Sequence, residues 1–407
     1  MSDAHNYDVV IIGAGIVGLT LANALAESRF NVAVVDAQEP GDIKPDQDYE
    51  LRVSAISRAS QQVFMNLHAW DGMKKRRISP FEHMHVWDAT GSGLIHFDAA
   101  DLGVDALGHI IENKVVQAAL LEQLKQHKNL HWLCPAKVNV IECKQEHNLI
   151  TLDDDRTLNA RLLVGADGAN SRVREAAGIE LEKAPYKQKG VVCVVESTKH
   201  HQYTAWQRFL PTGPLAFLPL PDGRCSIVWS ASDEEADRLI ELDEDAFSRE
   251  LEQAFEYTLG AVKSVGPRAA FPLIRRHAEH YVKSGVVLIG DAAHTIHPLA
   301  GQGANLGILD AASLAQVIIE AEKQRKDFAS YSTLRKFERW RRGENTLMMY
   351  SMSGFKNLFS NETQSLSVVR NFGLNLVNSI GPLKHKFMRH AMGLEGDLPK
   401  LARVIGF

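Results

Sequence analysis

Gly290-Asp291-Ala292-Ala293-His294-Thr295-Ile296-His297-Pro298-Leu299-Ala300-Gly301-Gln302-Gly303-Ala304-Asn305-Leu306-Gly307-Ile308-Leu309-Asp310 reads as a strand end, a proline-glycine loop and a helix start. The apolar run Val286-Val287-Leu288-Ile289 before it predicts a short buried strand. Gly290-Asp291 then lets the backbone approach a ligand closely while a carboxylate projects from the strand tip. Gly301, Gly303 and Gly307 surround the first turn of the next helix. Unpaired N–H groups and a macrodipole of roughly +0.5 charge favour an anion at such a turn. An ordinary glycine-rich loop would read similarly, so the assignment needs a second signal.

That signal lies at the N-terminus. Tyr7 to Ile12 is an apolar strand, Gly13-Ala14-Gly15-Ile16-Val17-Gly18 follows at once, Leu19 to Ala26 reads as a helix, and Asn31 to Asp36 as a second strand. This is a βαβ unit in order, with an acidic residue about twenty positions after the glycines. Gly13 allows the tight turn, Gly15 the approach of a pyrophosphate, and Gly18 the close packing of helix on strand. Asp36 is placed to accept hydrogen bonds from an adenosine ribose. The spacing predicts a dinucleotide site without distinguishing NAD from FAD.

The chain has 407 residues, 45% of them hydrophobic, enough for two or three domains with packed cores. A net charge of −5 gives no basic excess to suggest nucleic acid. Cys134, Cys143, Cys193 and Cys225 form no CxxC pair and read as reduced thiols of a cytoplasmic protein. The seventeen histidines are scattered, with no metal constellation in their spacing. Val9 to Ala26 is uncharged but glycine-rich and preceded by Asp8, which suits a nucleotide-binding strand and helix better than a signal peptide. No other run reaches membrane length.

Along the chain, a loop at 37–50 leads through Arg52 to Ser57 into a helix at Ala59 to Leu67. Strands are predicted at His83–Asp88 and Gly93–Asp98, a helix at Lys114–Gln126, and strands at Leu130–Leu133, Val138–Cys143 and Leu149–Leu152. Arg161 to Ser171 repeats the theme of strand, glycine and exposed aspartate at Gly165-Ala166-Asp167-Gly168. From Gly190 to Arg276 short strands dominate (Gly190–Val195, Ala205–Phe209, Leu215–Leu218, Cys225–Ser230), interrupted by a helix at Asp243–Tyr257. After Asp310 the pattern is helical to the end.

The order GxGxxG, Arg52, Gly165-Ala166-Asp167-Gly168 and Gly290-Asp291 resembles the class A flavoprotein aromatic hydroxylases of the p-hydroxybenzoate hydroxylase fold, over residues 7 to about 345. Within that group, His297 to Asp310, Leu51 to Ile56, Leu107 to Asn113 and the His-Ala-Met-Gly-Leu run after Arg389 look like the ubiquinone-biosynthesis hydroxylases. The resemblance implies an α/β fold: a Rossmann-like FAD-binding domain (1–75, 106–183 and 275–345), an inserted β-rich substrate domain (76–105 and 184–274) and a helical C-terminal region (346–407).

The resemblance also implies roles. Gly13, Gly15, Gly18 and Asp36 would hold the ADP half of FAD; Arg52 would lie along the pyrophosphate and ribityl region. Asn113 and Gln117 would make polar contacts, Asp167 would face the pyrophosphate side, and Asp291 would bind ribityl or pyrophosphate hydroxyls. Gly301, Gln302, Gly303, Ala304 and Asn305 would set backbone N–H groups at the flavin N1–C2=O edge, with the Pro298 carbonyl meeting the reacting hydroxyl. The rival readings are plain ones: an Arg52 ion pair with Asp48 or Glu50, Asn113 as a helix cap, Asp167-Gly168 as a turn. His294 and His297 read as structural histidines satisfied by backbone groups.

The activity implied is monooxygenation. NAD(P)H, met transiently for want of a second GxGxxG unit, reduces the flavin; O2 gives a flavin C4a-hydroperoxide that hydroxylates a polyprenylated phenol in ubiquinone biosynthesis. Trp206, Phe217, Leu218 and His297 are the candidate pocket, although such aromatics also suit a sheet core. A prenyl tail dissolved in lipid, at ~0.8 kcal/mol per buried CH₂, implies peripheral contact with the inner membrane surface or a partner of a ubiquinone-biosynthesis complex. The tract from Met348 through Leu376 to Lys384, Lys386, Arg389 and His390 has the basic and apolar content for such contact, though a helix-packing face is the commoner use. A homo-oligomer is compatible with the sequence. The six tryptophans contain no Trp-x-Trp of a flavin halogenase; a small-phenol hydroxylase, a prenyl reductase and a non-catalytic flavin-binding scaffold are the alternatives.

Overall fold

The computed structural model describes residues 5–41, 43, 47–296, 302–359, 384–385, 388–389 and 392–403. The strand His5–Ile12 lies inside an eight-stranded sheet, with Val9, Val10 and Ile11 fully buried. Such near-continuous apolar strands are what a parallel sheet covered on both faces requires. The path runs Val282–Lys283, Val286–Leu288, Thr157–Gly165, His5–Ile12, Val32–Val35, Leu130–Leu133, with Asn148–Leu152 and Val138–Cys143 added as antiparallel strands.

Register brings the functional turns together. Ile12 pairs with Gly165 and Val35, and Gly165 with Leu288, all in parallel strands. Their carboxyl ends share one sheet edge, where open α/β sheets bind ligands. The helices Ile16–Ala24, Asn113–Leu124 and Gln302–Lys323 pack together beside this sheet. Gly303–Lys323 is, among the described residues, one helix long and apolar enough to cross a membrane, a length the sequence reading passed over. It is 72% buried inside the fold, as a core helix is.

A second, nine-stranded sheet runs His294–Thr295, Ala269–Ala278, Leu181–Ser197, Cys225–Ser232, Gly213–Pro219, Thr204–Leu210, His83–Asp88, Leu94–Asp98, with Val262–Val265 beside Leu181–Ser197. Alternation gives it two apolar faces. Val191, Leu215, Phe217, Ile227 and Trp229 form one core with Phe247, Leu251 and Phe255, while Val194 and Leu220 cluster with Ala55 and Ile110. The latter two belong to a small sheet of Val53–Ser57, Gly108–Glu112 and Ser79–Phe81.

Several elements depart from expectation. The strand read at Gly190–Val195 extends over Leu181–Ser197, because one stretch of it pairs with Ala269–Ala278 on each side of an irregularity at Pro185/Lys189. The helix read at Asp243–Tyr257 is Glu244–Ala254, and a second, Asp233–Glu241, precedes it. Ser232 and Asp243 cap them by accepting from the amides of Glu235 and Ala246. Helix Trp70–Arg76 was not foreseen.

Helix Tyr331–Phe359 crosses residue 345 without a break. Residues 392–403 return to earlier parts of the chain: the Ala59 amide donates to the Met392 carbonyl (3.2 Å), Asn66 Nδ2 to Leu401 O (2.8 Å) and Trp340 Nε1 to Asp397 O (2.8 Å). Met349 is buried against Ile296 and Leu306, Lys384 pairs with Asp101 and Arg389 with Glu395. Leu366, Val368, Val369, Phe372, Leu374, Leu376, Lys386, Phe387 and His390 of the predicted amphipathic tract lie outside the described residues, as do the side chains of Met352, Phe355, Leu358 and Phe359.

Candidate active site

Four turns leave the shared sheet edge in spatial order: Gly290-Asp291 beyond Val286–Leu288, Ala166-Asp167 after Thr157–Gly165, Gly13 to Gly15 after His5–Ile12, and Asp36 after Val32–Val35. At about 4.8 Å between neighbouring strands, the row spans about 14 Å. That suits an extended ligand with an anionic centre at the glycine turn.

The three glycines serve different ends. Gly13 has φ +103°, and a Cβ there would lie 2.3 Å from the Ala166 carbonyl oxygen. A Cβ on Gly18 would lie 1.9 Å from the Gly13 oxygen. Gly15, by contrast, has an extended backbone (φ −67°) that any residue adopts, and a Cβ on it would meet nothing within 4 Å. It stands at the N-terminus of helix Ile16–Ala24 without a side-chain cap, leaving donors of the first turn for an anion.

Asp36 Oδ2 accepts from the Ala14 amide (2.6 Å) and Oδ1 from the Gln38 amide (3.0 Å). Gln117 Nε2 donates to the Ala14 carbonyl (3.2 Å), so Asp36 and Gln117 hold the glycine turn from two sides. Asn113 is no cap: Glu112 occupies that position, and Asn113 Oδ1 accepts from Ser54 Oγ (2.7 Å). Arg52 is exposed, with its guanidinium 5.7 Å from the Phe271 ring. Asp48 instead pairs with Arg224, and Glu50 with Lys114.

Asp167 Oδ2 accepts from the amides of Arg172 (2.7 Å) and Val173 (3.2 Å), whereas its buried Oδ1 has no hydrogen-bond partner among the described residues. Burial raises this carboxyl above its ordinary range, against hydrogen bonds from Ser171, Val173 and Arg172. Burial likewise raises Asp291, against the positive charges of His294, Arg52 and Arg276, although its side chain still opens to solvent. It is walled in by protein yet not closed over. Arg174, buried, ties the two acidic turns together by donating to Ala292 O (2.9 Å) and Ala169 O (3.1 Å).

At the next helix start, a Cβ on Gly303 would meet nothing within 4 Å among the described residues, and Ala304 is half-buried. The Asn305 side chain is committed elsewhere. Its Oδ1 accepts from the Ser57 amide (2.9 Å) and its Nδ2 donates to Ala55 O (2.8 Å), pinning the helix to strand Val53–Ser57. His297, Pro298 and Gly301 lie outside the described residues, as does the Gln302 side chain.

Beneath the Gly290-Asp291 turn lies an ionic cluster that spacing did not reveal. Asp310 meets His294, Arg341, Asn345 and the Gly290 amide, and all four side chains are buried. His294 is thus satisfied by a carboxylate rather than by the backbone group expected. Tyr281, whose ring lies 5.7 Å from His294, links to His277 at 3.0 Å. The signal was one buried-sounding Asp310 inside an apolar helix; its partner lies 31 residues away.

The tentative pocket residues fall on different faces. Phe217 stacks on Phe255 at 3.8 Å, and Trp206 packs on Trp87 and His85 while donating to His201 O. Both therefore pack on the helix-covered side of their sheet. Leu218 packs on the opposite side, with Leu220, Val194 and Ala55.

Two features fit FAD to the row of turns: the open cradle over Gly15 and the leftover acceptor on Asp167. Residues 6–344 match the family described as FAD binding domain. The chain is 36% identical over 387 residues to the 3-demethoxyubiquinol 3-hydroxylase of Escherichia coli (strain K12), covering 95% of this chain and 98% of that protein. It is 37% identical over 399 residues to the ubiquinone hydroxylase UbiL of Rhodospirillum rubrum (97% and 92%), and 35% identical over 436 residues to the mitochondrial ubiquinone biosynthesis monooxygenase COQ6 of Homo sapiens (95% and 92%). Among solved structures it is similar to p-nitrophenol 4-monooxygenase PnpA from Pseudomonas putida DLL-E4, with a TM-score of 0.77 at 18% identity over 95% of this chain and 98% of that one. The chain belongs to the FAD-binding-domain family of flavoprotein monooxygenases, in the branch of the ubiquinone-biosynthesis hydroxylases.

Proposed function

We propose that this FAD-dependent monooxygenase hydroxylates the aromatic ring of a polyprenylated phenol, with the row of turns from Asp36 to Asp291 as its cofactor site. The observation that carries the reading is the alignment of Ile12, Val35, Gly165 and Leu288 at one edge. One oxygen atom of O2 enters the ring as hydroxyl and the other leaves as water, with two electrons from NAD(P)H. Bound FAD supplies the oxygen chemistry; the protein binds, orients and excludes water.

The geometry supports the following division of roles. Amides of the Gly15 turn take the pyrophosphate. Each Asp36 carboxylate oxygen keeps a lone pair beyond its amide bond for the adenosine ribose. Asp167 Oδ1 and Asp291 accept from hydroxyls of the middle and ribityl segments, and Arg52 faces Asp291. The first turn of helix Gln302–Lys323 presents amides where negative charge develops on the reduced ring. Leu218 and Leu220 offer the apolar wall, and the prenyl tail places the enzyme at the inner membrane surface or beside a partner of a biosynthetic complex.

Incubation with NAD(P)H, labelled O2 and a short-chain prenylphenol should give a product carrying one labelled oxygen, read by mass spectrometry. Peroxide as the sole product, with NAD(P)H consumption indifferent to the phenol, would refute the reading.

A further inference from the structure

Three of the seventeen histidines are brought together by one hairpin. In the antiparallel pair His83–Asp88 and Leu94–Asp98, His83 lies opposite Asp98 and His85 opposite His96. Side chains two apart share a face of a strand, so all four stand on the same face. All four are half-buried. One ligand atom each from His83, His96 and Asp98 lies within 4.8 Å of the others. His85 Nδ1 and His96 Nδ1 face each other at 3.4 Å.

We propose that His83, His96 and Asp98 form a site for a divalent transition metal, zinc being the best fit, with His85 as the residue that orients His96. Two observations support it. His83 Nδ1 is buried without a hydrogen-bond partner, 3.5 Å from Asp98 Oδ2, too poorly placed to be satisfied by it. An imidazole and a carboxylate that sit beside each other without bonding are the donors zinc takes, and at Zn–N and Zn–O lengths of about 2.1 Å a tetrahedral edge is about 3.4 Å. The 4.8 Å spread closes by side-chain rotation, which half-buried positions allow.

His85 completes the arrangement. A metal-bound histidine donates its other ring N–H to an outer partner that fixes its tautomer. The Nδ1–Nδ1 approach gives His96 that partner, and His85 is itself held between Trp87 and Trp206. The nearby cation, Lys384, is neutralised by Asp101 at 2.8 Å, leaving Asp98 to balance the metal. The strand Leu94–Asp98 is the last in its sheet. A metal shared by both strands would clamp that edge, far along the sheet from the His294–Thr295 strand that borders the cofactor loop.

The test uses the FAD-loaded, full-length enzyme after chelator treatment. Titration with Zn²⁺ alone, followed by calorimetry, should show one equivalent bound, with a rise in melting temperature and unchanged turnover. His83→Ala and His96→Ala should each abolish stoichiometric binding, and His85→Ala should weaken it by about 10–100-fold, while His131→Ala, remote on another sheet, should leave it unchanged. Wild-type enzyme loaded with Co²⁺ should show the ligand-field bands of a four-coordinate N/O site, a readout that needs no variant to fold. Absence of one-equivalent binding, six-coordinate Co²⁺ only, or equal affinity in the His83 and His96 variants would reduce the cluster to cross-strand histidine contacts.

Discussion

His294 Nε2 stands 2.5 Å from Asp310 Oδ2, with both side chains buried, directly under the turn that carries Asp291. Burial pushes the Asp310 carboxyl up, but the charge and hydrogen bond of His294 and those of Arg341 hold it well below the usual carboxylate range. The same carboxylate takes the Gly290 amide at 3.2 Å, so the ionic cluster fixes the backbone from which Asp291 projects.

Asp310→Asn should therefore be costly. Arg341 is fully buried and would lose its charge partner at Nε, and breaking a buried pair costs about 3–5 kcal/mol. Urea unfolding of the apoprotein should show that loss, and flavin affinity should fall with it. A loss below about 1 kcal/mol would mean that Asn345 and Glu344 suffice to hold Arg341.

Gly15 and Gly18 should respond in opposite ways. Gly15→Val has an allowed backbone and open space among the described residues, so the variant should melt like the wild-type apoprotein yet purify without flavin absorbance. Gly18→Ala forces a Cβ to 1.9 Å from the Gly13 oxygen, which should unfold the turn and lower the melting temperature. A flavin-loaded Gly15→Val enzyme would remove the pyrophosphate from this turn.

Acid should destabilise the fold through two buried imidazoles. Burial pushes His109 down to about 4, with Arg58 adding to the effect, and burial with Arg342 and His294 does the same for His277. In the unfolded chain each titrates near 6.5. The unfolded state thus binds the proton first, and stability present above about pH 6.5 is lost as pH falls toward 4. For His109, buried with its ring on Trp70, the loss is at most roughly 3 kcal/mol. His109→Phe should flatten stability against pH across that window; an unchanged slope would place the acid lability elsewhere.

Much of this fold was legible because its determinants are local. Strand ends at Ile12, Val35 and Leu133, and the glycine turn between strand and helix, follow from apolar runs and breakers within ten residues. What was not legible depends on partners far apart in sequence. Arg341 finds Asp310 only when two helices pack, and His83 meets Asp98 only through hairpin register. Trp206 and Phe217 illustrate the same limit: their composition suited a pocket, but the parity of their positions decides the face, and Leu218, one residue on, takes the other. Helix Asp233–Glu241 escaped notice because only Ala236 and Leu239 of its nine residues are buried.

The helix start at Gly303 should act on the reduced cofactor more than on binding. Because a Cβ there meets nothing within 4 Å among the described residues, Gly303→Val should fold and load FAD. By displacing the ring from the amides of the first turn, it should lower the flavin midpoint potential and slow reduction by NAD(P)H. An unchanged potential in the loaded variant would move the charge-stabilising donors to another part of the loop.

The C-terminal residues call for two separate variants. Residues 392–403 are held to the body of the protein through Ala59, Asn66 and Trp340, so truncation before them should destabilise the protein whatever the membrane role. The apolar run that precedes them in sequence is the sharper probe. Leu366→Ser, Phe372→Ser and Leu376→Ser together should leave flavin content intact, because the dinucleotide motifs all precede Asp310. If this tract meets lipid, the triple variant should float less with liposomes carrying anionic lipid and turn over a long-tailed phenol more slowly than a short-tailed one. Equal flotation and an unchanged ratio between the two substrates would instead place lipid contact on the Leu218 face of the second sheet.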